Sequence, residues 1–79
     1  MHNPAITLVP SARHLVAALP ADLDAASYEE LLEAKDVARD ATVIQRGAAM
    51  RTPLGSPERQ GIVWLMLARM AITDTLAAF

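Results

Sequence analysis

Apolar residues recur along most of this chain at intervals of three and four, and the two-residue alternation of a half-buried strand is almost absent. Prolines at positions 4, 10, 20, 53 and 57 divide the pattern into three helical segments. The first is expected over about residues 12–19, with Ser11 as N-cap behind Pro10, an apolar stripe of Ala12, Leu15, Val16 and Leu19, and Pro20 as its stop. A helix this short does not persist alone in water, so it must lie on the others.

The second helix is expected over about residues 25–50. Asp24 or Ser27 stands at its start, Ser27 and Glu30 have capping-box spacing, and acidic residues crowd its first turns, where the helix dipole favours them. Arg46 and Arg51 mark its end, and Thr52-Pro53 blocks continuation, while Gly47 is a mild weak point inside it. Ser56, Pro57 and Glu58 then read as N-cap, first helical position and acidic first turn of a third helix over about residues 57–78. A short loop between two long helices implies an antiparallel hairpin with arms on the order of 35 Å.

Spacing also suggests how the arms meet. Positions 31, 34, 38, 41, 45 and 48 form a seam of Leu, Ala, Ala, Ala, Gln and Ala, and a matching seam on the third helix at 61, 64, 68, 71, 75 and 78 reads Gly, Trp, Ala, Ala, Thr and Ala. If these two small seams face each other, Val63, Met66, Leu67, Met70 and Ala77 lie on the far side of the third helix, flanked by Ile62, Leu65 and Leu76 beside Arg69. A helix apolar nearly all round is normally buried on more than one side. One arm and one short helix cannot cover it, which points to Ile62, Val63, Met66, Leu67 and Met70 as a partner interface and to a homodimeric helical bundle. A membrane is the competing destination for this helix. However, Arg69 and Asp74 interrupt the stretch from Gly61 to Phe79, and it lacks the basic polar face of an interfacial helix.

Size sharpens this expectation. A chain of 79 residues supports one domain, here residues 11–79 behind an extended or flexible segment 1–10 in which Ile6 to Val9 could at most add an edge strand. Without cysteine it has no disulfide, thiolate metal site or thiol nucleophile, and its two histidines, His2 and His14, have no metal-ligand spacing. Oligomerisation or a partner remains as the source of extra stability. No basic leader precedes a long apolar run, so a cytoplasmic location is the expectation, and the preference for Arg over Lys together with abundant Ala fits a bacterial or phage gene.

Candidate chemistry is sparse. Asp22 and Asp24 suit turn and cap roles, Ser11, Ser27 and Ser56 each precede a helix, and the glycines at 47, 55 and 61 form no phosphate-binding loop. Glu33, Asp36 and Asp40 share a stripe but lack the Glu-x-x-His spacing of di-iron bundles. The net charge of -2 steers toward no polyanion as a whole, yet Arg46, Arg51 and Arg59 gather near the hairpin tip and could meet phosphates in a dimer. The expectation is an all-α, non-enzymatic interaction module without cofactor or metal: an adaptor, chaperone or regulator working through an apolar helix face. A small nucleic-acid-binding regulator using the arginine cluster is the alternative.

Overall fold

A computed structural model describes residues 8–79. The segment Met1 to Thr7, including His2 and half of the possible edge strand, lies outside the described residues. Among the described residues the chain is all-helical, with three α-helices and no strand: α1 (Pro10–Val16), a 3-10 turn (Leu23–Ala25), α2 (Tyr28–Ala49) and α3 (Pro57–Ala77).

The start of α1 departs from expectation. Its N-cap is Val9, extended at ψ 154° and without a side-chain cap, while Pro10 occupies the first turn and Ser11 is already helical. The physical reason is local: the residue before a proline is pushed toward extended backbone, and a proline at the first helical position has no N–H that needs a cap. α1 also ends earlier than its apolar stripe. The amides of Ala18 and Leu19 donate to the carbonyls of Leu15 and Val16, so the chain tightens into i to i+3 turns before Pro20 instead of continuing as α-helix.

α2 begins later than its acidic run suggests. Asp22 accepts a hydrogen bond from the Asp24 amide and starts the 3-10 turn, and the capping box at Ser27 and Glu30 then opens the helix. The Ser27 hydroxyl accepts from the Glu30 amide at 3.1 Å, and the Glu30 carboxylate accepts from the Ser27 amide at 3.2 Å. Ser56 caps α3 as expected, with Pro57 next.

The connection between α2 and α3 is tied by its own polar groups. The Thr52 hydroxyl donates to the Ala49 carbonyl at 2.8 Å and lies 2.7 Å from the Ser56 hydroxyl. Arg59 Nε donates to the Thr52 carbonyl at 3.1 Å, and Gly55 supplies the left-handed residue of the turn at φ 83°.

α2 packs on both α1 and α3. Late positions of α2 meet early ones of α3, and early positions meet late ones: Gln45 bonds Glu58, Ala41 clusters with Leu65, Ala38 with Ile72, and the Tyr28 ring stands edge-on to Phe79. Leu31, Ala34, Ala38, Ala41 and Gln45 are buried, as the α2 seam requires, while at its last position Ala48 is half-buried and Ala49 is buried instead. The α3 side differs. Leu65 and Ile72 are its buried large residues, whereas Ala71 and Ala78 are exposed. Small side chains on α2 leave room that small side chains on α3 would not fill, so α3 turns its larger residues inward and packing density is recovered. Leu8 is buried in the same core as Ala12, Ala41 and Leu65.

Candidate interaction surface

The rotation of α3 that buries Leu65 and Ile72 fixes what its other side displays. Val63, Met66, Leu67 and Met70 are 57%, 53%, 58% and 59% exposed, although Leu65 in their midst is wholly buried. At a spacing of three and four these four side chains form one continuous stripe. Ile62 differs from them in being half-buried. Of the five residues read from the sequence as an interface, the fold thus exposes four together and places the fifth at the edge.

The stripe is bordered by charge. A shallow depression lined by Met66, Arg69, Met70, Thr73 and Asp74 runs along it. Arg69 is half-buried and Asp74 exposed, and neither side chain has an ion-pair partner among the described residues. The outer surface of α2 is different in kind. Leu32, Val43 and Ile44 are exposed there too, but Glu33, Lys35, Asp36, Arg39 and Asp40 set Leu32 apart from the other two, and Arg39 pairs with Asp36 at 3.6 Å and Asp40 at 3.7 Å. Such solvated pairs contribute little to stability but keep that surface wet.

A second apolar concavity lies between the end of α1, the linker and α3, lined by residues that include Leu19, Leu23, Trp64 and Ala68. Trp64 packs against the core from its rim.

The arginine cluster is only partly presented. Arg46 and Arg51 are exposed, but Arg59 is half-buried and holds the Thr52 carbonyl. His14 is exposed on α1, and no group of three or more His, Cys, Asp or Glu among the described residues is placed to hold a metal ion. Among those residues no helix is long and apolar enough to cross a membrane. Gln45 does more than hold a place in the α2 seam. It is fully buried, accepts a hydrogen bond from the Val9 amide at 3.0 Å and donates to the Glu58 carbonyl at 2.9 Å. Its position in a small seam was visible, but its partners lie 36 and 13 residues away, beyond any local signal. No family model, curated protein or solved structure matches the chain.

Proposed function

We propose that this chain is a non-enzymatic protein-interaction module of the cytoplasm, an adaptor, chaperone or regulator, in which an antiparallel helical hairpin offers the Val63, Met66, Leu67 and Met70 face of α3 to an apolar helix and self-associates into a dimeric bundle. The observation that carries the reading is the contrast within one helix. Four large apolar side chains stay more than half exposed in an unbroken stripe, while on α2 a run of charged residues separates Leu32 from Val43 and Ile44. Contiguous exposed apolar surface marks an interaction site more often than scattered residues do. Methionine suits such a surface because its unbranched, polarisable side chain adapts to the shape it meets.

Completing the burial of these four half-exposed side chains would return roughly 1 kcal/mol each, or about 4 kcal/mol per chain, on a scale of about 1.5–3 kcal/mol for full burial. That is a large fraction of the stability of a small domain. Light scattering on the pure chain tests the reading. The expected result is a dimer, with Met66→Asp giving a monomer of lower melting temperature. A well-folded monomer that binds neither hydrophobic dye nor a helical partner would remove the proposal.

A further inference from the structure

Resting on that reading, the α3 stripe also carries information about which occupant fits it and in which direction. Val63, Met66, Met70, Thr73 and Ala77 follow one another at intervals of three, four, three and four, and all five are exposed with α2 in place. This is the seam spacing of a two-stranded coiled coil, with Val63, Met70 and Ala77 in one set of layers and Met66 and Thr73 in the other. The residues bordering such a seam decide orientation. On one border stand Ile62 and Arg69, each directly before a seam residue, and on the other stand Leu67 and Asp74, each directly after one.

We propose that the occupant is a second copy of this chain whose α3 lies parallel and in register, so that Arg69 of each copy meets Asp74 of the other. In a parallel pair, a residue preceding the seam faces the opposite border of its neighbour five positions further on. Ile62 then meets Leu67 of the second copy and Arg69 meets Asp74, apolar against apolar and cation against anion, twice over by symmetry. An antiparallel pair instead brings like borders together, setting Arg69 toward Arg69 or Asp74 toward Asp74 or an apolar side chain. The lack of an ion-pair partner for Arg69 or Asp74 within the described protomer is accounted for by the same arrangement.

Because the chain has no cysteine, single cysteines report the direction. Val63→Cys and Ala77→Cys sit about 21 Å apart along α3, far beyond the span of a disulfide. Under mild oxidation each variant alone is expected to form a covalent dimer with its own copies. Arg69→Asp and Asp74→Arg are each expected to weaken the dimer on the order of tenfold, and the double exchange to restore it to within about twofold. Circular dichroism confirms that each variant remains helical before its mass is read.

A dimeric wild type whose cysteines cross-link only in a mixture of the two variants would overturn the parallel pairing and leave the interaction face standing. The same holds for a dimer in which neither cysteine cross-links. A wild type that is monomeric yet binds hydrophobic dye would overturn the second copy as occupant, while a monomer with no dye binding would remove the face itself.

Discussion

Gln45 occupies a seam otherwise built mostly of alanine, and its amide does what none of its neighbours can. It joins the residue that enters α1 to the first turn of α3 through two hydrogen bonds made from a fully buried position on α2. Leucine at this site would keep much of the volume and leave the Val9 amide and the Glu58 carbonyl without this partner. Buried polar groups left unmatched cost about 1–3 kcal/mol, so Gln45→Leu is expected to lower unfolding free energy by about that amount in urea titration. An unchanged midpoint would mean that other groups or water replace the amide. At this scale the sequence tells which residues are polar and which small, and the long-range pairing that gives Gln45 its role arises only when three segments meet.

Among the elements, α2 was legible and α3 only half so, for a physical reason. Charged residues on α2 leave one small apolar seam, so the direction of burial is determined by exclusion. α3 has apolar residues on every side, and several seams satisfy the same spacing. Size decided between them, since the alanines of α2 accept Leu65 and Ile72 more densely than Ala71 and Ala78. Capping follows the sequence signal at Ser27 and Ser56 and departs from it at Ser11, where Pro10 opens the helix without help. The exposed stripe is legible because its residues are large, whereas Leu65, expected on the flank, lies wholly in the core and Ile62 is half-buried. Gly47 permits a prediction of its own. It is exposed in the interior of α2, and a Cβ there would meet nothing within 4 Å. Gly47→Ala should therefore stabilise the fold by about 0.5–1 kcal/mol, read as a higher melting temperature. A loss of stability instead would point to a contact on that side.

At the scale of the whole molecule, extents of 40 × 25 × 19 Å describe a body about two helices thick, in which each long helix keeps one side outward. A core this thin draws much of its apolar content from alanine, and its stability should depend on association. Raising protein concentration a hundredfold is expected to increase the melting temperature by several degrees, because anything bound only by the folded state stabilises it by mass action. A melting temperature independent of concentration would indicate that the protomer is self-sufficient. The alanine seam imposes one more condition on such a body. Ala34 and Ala38 cluster with Ile72, and the half-buried Leu19, Leu23 and Leu76 pack around them. An enlargement on the alanine side presses first on Ile72 and then on those rim leucines, so volume in this part of the molecule is traded between the two long helices and the side chains that fringe their contact.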